Sequence, residues 1–190
     1  MVLAFKTTVI TTVDRDGRVN AAPFGPVYSL STGSNSQILV DVNSRWHTAH
    51  NIDATEEFVI HYASVALFEQ VAETDLLYNE GVNELNKAGL TPLSALAVKP
   101  PRIEECLQHI ECRLNHIIRP NQDQINFIGA IVSMSINEDL SKKSKPERVM
   151  GITRCCFWAW ILPPLLASMA GSIEPEIMHR PRWMCGVRGS

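Results

Sequence analysis

Residues 6–24, with the sequence KTTVITTVDRDGRVNAAPF, predict a β-hairpin. Residues 6–13 are almost all β-branched, which is typical of strands. The turn Asp14-Arg15-Asp16-Gly17 follows, and Gly17 tolerates the positive φ angle that a tight hairpin needs. Residues 18–22 predict the returning strand, and we expect Pro23 to end it because proline has no N–H for a sheet.

Short strands and short helices continue along the chain to residue 136. Strands are predicted at residues 37–42, 57–62, 107–118 and 125–136, and helices at 48–55, 64–72 and 81–88. Thr48 is expected to cap the first helix, and Gly89 to end the third in a left-handed conformation. Many short antiparallel strands with few helices predict a mainly β protein that closes into a barrel.

Alternation in the two long strands predicts which side chains share a face. In the first, the shared face contains Ile110, Cys112, Leu114 and His116. In the second, one face contains Phe127, Gly129, Ile131, Ser133 and Ser135.

The composition is that of a globular protein, but its charge is unevenly distributed. The 190 residues are 45% hydrophobic and 19% charged, which excludes disordered and collagen-like chains. Residues 1–140 hold 17 acidic and 9 basic residues, whereas residues 141–190 hold 3 acidic and 8 basic ones. We therefore predict a barrel domain over residues 1–140, and over 141–190 a linker with an atypical apolar and basic tail. The acidic body argues against nucleic-acid binding.

The sequence favours a cytoplasmic location with free thiols. The first 12 residues lack the apolar core of a signal peptide. Residues 155–173 carry no charge, but Pro163 and Pro164 interrupt this run and argue against a membrane anchor. The five cysteines and the histidines match no common metal motif, so no metal site is expected.

Several short strings, in this order and spacing, carry a family resemblance. They are Thr11-Thr12-Val13-Asp14 with Gly17, Asn20-Ala-Ala-Pro-Phe24, His47-Thr-Ala-His-Asn-Ile52, Glu57-Phe-Val-Ile60, Asn83-Glu-Leu85 with Ala88-Gly-Leu90, Val98-Lys-Pro-Pro-Arg-Ile103 and His109-Ile-Glu-Cys112. Together they resemble the flavin reductase-like family of FMN-binding split-barrel proteins over residues 6–136.

The resemblance implies an antiparallel, Greek-key type split β-barrel that forms a homodimer with one FMN per subunit. The family includes NAD(P)H:flavin oxidoreductases, reductase partners of monooxygenases, and flavoredoxin-like electron carriers. Fold membership does not choose among these activities. A flavin-binding module without NAD(P)H turnover, and a scaffold that holds no flavin, are the alternatives.

The resemblance also assigns cofactor-binding residues. Arg45, Thr48 and Asn51 would form the phosphate and ribityl end, because a guanidinium and a helix start both favour an anion. The ring side would contain Asn20, Ala21, Ala22, Pro23, Phe24 and Gly25, with the alanine N–H groups donating to the ring edge and Phe24 offering an apolar face. Thr11 and Thr12 lie on the neighbouring strand, and one hydroxyl is expected to face the cofactor. No catalytic side chain is predicted, because the flavin carries the redox chemistry.

A plain capped helix and an ordinary strand ending at proline are the structural alternatives for these two segments.

Two positions and one segment depart from the family pattern. Gly25 stands where many members have Ser, and Gln124 stands where reductases have a His near the nicotinamide. Residues 148–190 do not align with the usual C-terminal segment, which helps to shape the flavin pocket.

Overall fold

One antiparallel sheet of seven strands is the main structural element of the described protein. The computed structural model describes residues 5–6, 8–31, 33, 35–76, 78–79, 81–144 and 156–157. The strands are β1 (Phe5–Lys6), β2 (Thr8–Val13), β3 (Val19–Phe24), β4 (Val27–Ser31), β5 (Gln37–Asn43), β6 (Glu57–Tyr62), β7 (Pro92–Leu93), β8 (Arg102–Ile103), β9 (Gln108–Ile118), β10 (Gln124–Ile136) and β11 (Cys156–Phe157). The helices are α1 (His47–Thr55), α2 (Phe68–Glu73), α3 (Glu84–Ala88) and α4 (Glu138–Ser141).

The strand order of the large sheet is β3-β2-β6-β9-β10-β5-β4. The sheet curls into an open half-barrel, with β3 and β4 as its edges. The strands β1 and β11 form a separate pair, as do β7 and β8. The mainly β, antiparallel fold with a few short helices is therefore confirmed.

The N-terminal hairpin forms as predicted, but its second strand continues through Pro23 to Phe24. The expected stop at Pro23 is wrong because β3 is an edge strand. The Ala21 N–H points away from β2 and donates to the Glu84 side chain. Because N–H directions alternate along a strand, the nitrogen of Pro23 also points away from β2. No hydrogen bond between β2 and β3 is therefore lost at this proline.

Two helix boundaries and one further strand differ from the prediction. The helix α1 begins at His47, and its N-cap is Trp46 rather than Thr48. The strand β4 was not predicted, because residues 27–31 mix apolar and polar types without a clear period. The helix α3 is shorter than predicted, but it ends at Gly89 with the expected left-handed φ of 67°.

Apolar side chains pack on both faces of the sheet. Ile10, Val40, Phe58 and Phe127 belong to the inner core, which α1 covers with Ala49 and Ile52. A second core lies on the outer face and contains the residues Val9, Ala21, Ala63, Val71, Leu85, Leu90, Ile103 and Cys106.

Two irregularities in the pairing of β9 with β10 change the predicted faces. Register shifts occur between Ile128 and Gly129 and between Ile131 and Ser133. Each shift inserts an unpaired residue, so alternation restarts on the opposite face. The side chain of His116 therefore lies on the opposite face of the sheet from that of Leu114, and the side chain of Ser133 on the opposite face from that of Ile131. The prediction that each of these pairs shares a face is wrong. Ser135 follows Ser133 onto the outer face, where its hydroxyl lies 3.1 Å from Nδ1 of His109.

The segment between α3 and β9, residues 90–106, crosses the outer face of the sheet. Side chains of β2 and β9 hold its backbone. Thr11 donates to Pro101 O at 2.6 Å, Nε2 of His109 lies 2.7 Å from Ile103 O, and Glu111 accepts the N–H groups of Leu96 and Ala97. These contacts explain why polar side chains are buried on this face.

The tail predicted over residues 141–190 lies outside the described residues except for 141–144 and 156–157. The boundary at residue 140 stays a prediction, and so does the interpretation of the uncharged run 155–173. Among the described residues, no helix has the length and apolar character needed to cross a membrane.

Candidate functional site

The start of α1 is held in place by the loop between β9 and β10. Ser44 donates its N–H to Asp123 O at 2.8 Å and its hydroxyl to Gln122 O at 2.9 Å. Arg45 and Trp46 follow, and α1 begins at His47. Within the described structure, the Trp46 side chain provides no capping hydrogen bond to the first turn of α1.

Four predicted residues meet in one buried polar cluster between β2, β3 and α1. Asn20 Nδ2 donates to Thr48 Oγ1 at 3.1 Å and lies 3.4 Å from Thr12 Oγ1. Asn51 Nδ2 donates to Thr12 Oγ1 at 3.0 Å. We call Thr12, Asn20, Thr48 and Asn51 the amide–hydroxyl cluster. It fixes the orientation of both amides.

A cavity of about 220 Å³ opens beside this cluster. Asn20 and Asn51 line it, and their side-chain oxygens accept no hydrogen bond from any described residue. Oriented amide oxygens at a cavity wall are suited to accept from ligand hydroxyl groups. The other polar residues of the wall are Asp14, Arg18, Arg45, His47, His50 and Glu84.

The cations at this cavity differ in how firmly they are held. Arg18 pairs with Asp14 and Asp16, both at 2.7 Å. Arg45 pairs with Asp123 at 2.9 Å, but its side chain is 80% exposed. Such a surface ion pair contributes about 0–1 kcal/mol, so a multiply charged anion can replace Asp123.

Glu84 is a buried carboxylate at the cavity wall. Its Oε2 accepts the N–H of Ala21 at 3.0 Å, which joins the first turn of α3 to the edge strand β3. Burial raises the pKa of Glu84, against the opposing effect of its backbone hydrogen bonds and of nearby His47.

Some predicted site residues take other positions. Thr11 lies on the outer face and donates to Pro101 O, so of the two threonines only Thr12 joins the cluster. The Ala21 N–H is used by Glu84, and alternation directs the Ala22 N–H towards β2. Neither alanine N–H is therefore available to a ring edge.

The ring of Phe24 is 3% exposed and belongs to the inner core, so it does not offer the expected open face. Trp46 packs edge-on against it, with ring centroids 5.7 Å apart. Pro23 and Gly25 are half-buried at the end of the same strand.

Gln124, at the position where reductases of the resembled family have a His, faces β5. Its amide nitrogen reaches Val42 O at 3.2 Å and Asp41 Oδ1 at 3.0 Å in the orientation that satisfies both acceptors. Burial raises the pKa of Asp41, which favours its protonated form relative to an exposed aspartate.

Five polar residues of the cavity wall were missed from the sequence: Asp14, Arg18, His47, His50 and Glu84. All but Arg18 lie within strings that carry the resemblance, but nothing local distinguishes them from surface residues. Only their common position at one cavity sets them apart.

The family comparison decides the assignment. A model of the flavin reductase like domain matches residues 3–155. The chain belongs to the flavin reductase-like family. A curated relative, an uncharacterized protein of Aquifex aeolicus (strain VF5), is 35% identical over 140 residues, which are 69% of this chain and 68% of that protein.

Solved structures of other proteins share the fold of this chain. Nitrilotriacetate monooxygenase component B from Bacillus cereus has a TM-score of 0.68 and 23% identity, over 75% of this chain and 74% of that chain. Flavoredoxin of Desulfovibrio vulgaris (Miyazaki F) has a TM-score of 0.65 and 23% identity, over 74% of each chain. At this identity the likeness shows the fold, and it confirms the split β-barrel. Membership in the flavin reductase-like family supports a flavin-related oxidoreductase role.

Proposed function

We propose that this protein binds FMN at the cavity beside the amide–hydroxyl cluster and transfers electrons between the flavin and NAD(P)H or a redox partner. The observation that carries the proposal is the cluster itself. Its two oriented amide oxygens lie beside the start of α1, for which the described residues provide no side-chain cap, at a cavity whose wall holds arginine and histidine together with Asp14 and Glu84. These groups fit a ligand that combines hydroxyl groups with a phosphate.

The chain's own residues bind and orient the cofactor. Asn20 and Asn51 would accept hydrogen bonds from ribityl hydroxyls. Arg45 and the first turn of α1 would hold the phosphate. A hydrogen bond between charged groups contributes about 1.5–3 kcal/mol, which exceeds the surface pair of Arg45 with Asp123.

When bound, FMN supplies the hydride and electron transfer. The protein keeps the flavin in one position and shields part of it from water. None of the described side chains is assigned an acid or base role. The remaining predicted residues, Ala21, Ala22, Pro23, Phe24 and Gly25, would form the backbone wall beside the ring.

The test of the phosphate site compares FMN with riboflavin, which lacks the phosphate. Arg45→Ala should weaken FMN binding by about 1.5–3 kcal/mol and leave riboflavin binding nearly unchanged, because only FMN offers a charge to the guanidinium. Quenching of flavin fluorescence on binding gives the dissociation constant of each ligand.

Arg15→Ala is the matched control, because this exposed arginine lies outside the cavity wall. It should change neither affinity. Equal losses of FMN and riboflavin in Arg45→Ala would show that the phosphate lies elsewhere. A colourless wild-type preparation that binds no added flavin would refute the proposed function and favour a scaffold role.

A second candidate is an FMN-binding electron carrier without NAD(P)H turnover, and Gln124 favours it. A glutamine hydrogen-bonded to β5 cannot titrate as the expected histidine would. Mixing FMN-loaded protein with NADH or NADPH without oxygen separates the two candidates. Rapid bleaching of the flavin absorbance supports the reductase, whereas slow bleaching equal to that of free FMN supports the carrier.

We also propose that the protein is a cytoplasmic homodimer. Val132, Met134 and Ile136 form an exposed apolar strip at the end of β10, and Met134 is 59% exposed. Covering such a strip with a second copy would remove it from water. Sedimentation equilibrium should then give twice the 21.2 kDa of one chain.

A redox protein or a monooxygenase component is the partner class that would receive the electrons.

A further inference from the structure

Trp46 has an unusual position for a large apolar side chain. It is the N-cap of α1, where Ser, Thr, Asp or Asn would provide a hydrogen bond to the first turn. Its side chain gives no such bond within the described structure, and the residue is 49% exposed. The position therefore gains neither a cap nor full burial, so helix stability alone does not explain a tryptophan there.

The ring of Trp46 is nevertheless well supported. Phe24 contacts it edge-on, with centroids 5.7 Å apart and planes at 65°. Phe24 is itself 3% exposed and packed in the inner core, so it cannot move away easily. An exposed aromatic ring fixed by a buried one is a preformed surface for stacking with another flat ring.

The location of Trp46 relates it to the candidate site. Its two neighbours, Arg45 and His47, line the cavity. Trp46 contacts Phe24 at one end of β3, and Thr48 accepts from Asn20 near the other end. Asn20 and Phe24 lie four positions apart on β3, or about 13 Å between their Cα atoms. The strand therefore connects the amide–hydroxyl cluster, near one end, with the Phe24 ring that supports Trp46 at the other.

We propose that Trp46 is the aromatic contact of the isoalloxazine ring and determines the preference for ligands that carry this ring. The proposal rests on the proposed flavin function. It assigns the ring contact to Trp46 instead of Phe24, whose own face is buried. Because stacking involves the ring alone, Trp46 should contribute equally to every flavin, with or without a phosphate.

The test titrates FMN and riboflavin into the full chain and its variants. Trp46→Leu should weaken both ligands by the same factor, about tenfold, because it removes the aromatic face but keeps an apolar side chain. Trp46→Phe should bind both within about threefold of wild type. Arg45→Ala should instead weaken FMN alone, so ring and phosphate contacts are measured separately.

Leu96→Ala provides the control for loss of an exposed apolar side chain. Leu96 is exposed on the segment that crosses the outer face, and its variant should bind both flavins as wild type does. Thermal unfolding of Trp46→Leu shows whether the variant is folded. If it is not, Trp46→Phe and the emission measurement below decide the question.

Tryptophan emission gives an independent readout. The difference between wild-type and Trp46→Phe emission is the emission of Trp46. Flavin should quench this difference almost completely, because an isoalloxazine ring in contact with an indole quenches it more than a distant one does. Wild-type flavin binding with unchanged affinity in folded Trp46→Leu would overturn the proposal while leaving the flavin function intact. So would an unquenched difference emission. Absence of any flavin binding by wild type would overturn both.

Discussion

His61 lies fully buried between β2 and β9, although imidazole is a titratable group. Its Nδ1 is 3.0 Å from Val9 O, so this nitrogen carries the proton and donates it to the carbonyl. Its Nε2 has no hydrogen-bond partner among the described residues. Burial lowers the pKa of His61 to about 3, with nearby His109 and Arg102 acting in the same direction. The ring is therefore neutral in the folded protein at physiological pH.

The pKa of His61 predicts that stability falls below neutral pH. The folded pKa is lower than the unfolded value of about 6.5, so the unfolded state takes up a proton first as pH falls. The contribution is complete above pH 6.5 and is lost progressively towards pH 3, by up to about 1.4 kcal/mol per pH unit. Urea unfolding between pH 7 and pH 5 measures this slope above the range in which exposed carboxylates titrate.

His61→Gln should make the unfolding free energy depend less steeply on pH, because glutamine does not titrate. The number of protons taken up on unfolding should fall by up to about one. His109, whose pKa burial also lowers, should account for part of the remaining slope. Equal slopes in wild type and His61→Gln would contradict the assignment.

At the scale of elements, the segment formed by residues 90–106 depends on polar side chains of the sheet. Glu111 on β9 is 1% exposed and accepts Leu96 N–H at 2.9 Å and Ala97 N–H at 2.6 Å. Arg102 of the same segment approaches it at 3.8 Å. A buried carboxylate with these partners joins the segment to the sheet more strongly than apolar contact alone.

Glu111→Ala should lower the free energy of unfolding by about 3–5 kcal/mol, because it leaves two N–H groups and Arg102 without their buried partner. Chemical denaturation measures the loss, and amide exchange at Leu96 and Ala97 should become faster.

Glu57→Ala is the matched control, because Glu57 accepts Lys99 N–H from the same segment at 2.9 Å but is less buried. Its loss should be about 1 kcal/mol. Similar losses in the two variants would show that burial of Glu111 does not matter.

Element types were largely predictable because their signals are local. The β-branched run and Gly17 specify the hairpin, and Gly89 specifies the end of α3. The faces of β9 and β10 were not predictable beyond Ile131, because register shifts arise from pairing between strands. Gly129 lies at one of these register shifts, and the packing there leaves no room for a larger residue, because a Cβ would lie 2.6 Å from Phe58 Cζ.

At the scale of the whole molecule, the strand order determines which distant segments meet. The curled sheet brings β2 and β3 against α1, and α3 against the outer edge of β3. The candidate site lies where these elements converge. The acidic surplus of residues 1–140 was visible from composition, but it does not indicate that the cavity is lined by arginine and histidine.

The sequence alone determined the mainly β class, most strands, and the family, because periodicity, turn residues and ordered motifs are properties of neighbouring residues. It also predicted Thr12, Asn20, Thr48 and Asn51 as cofactor-binding residues. Only the tertiary structure decided that these four form one cluster, since the bond from Asn51 to Thr12 spans 39 residues and that from Asn20 to Thr48 spans 28. It also decided that Phe24 is buried while Trp46 is exposed. Such contacts depend on packing between distant elements, which local sequence patterns do not encode.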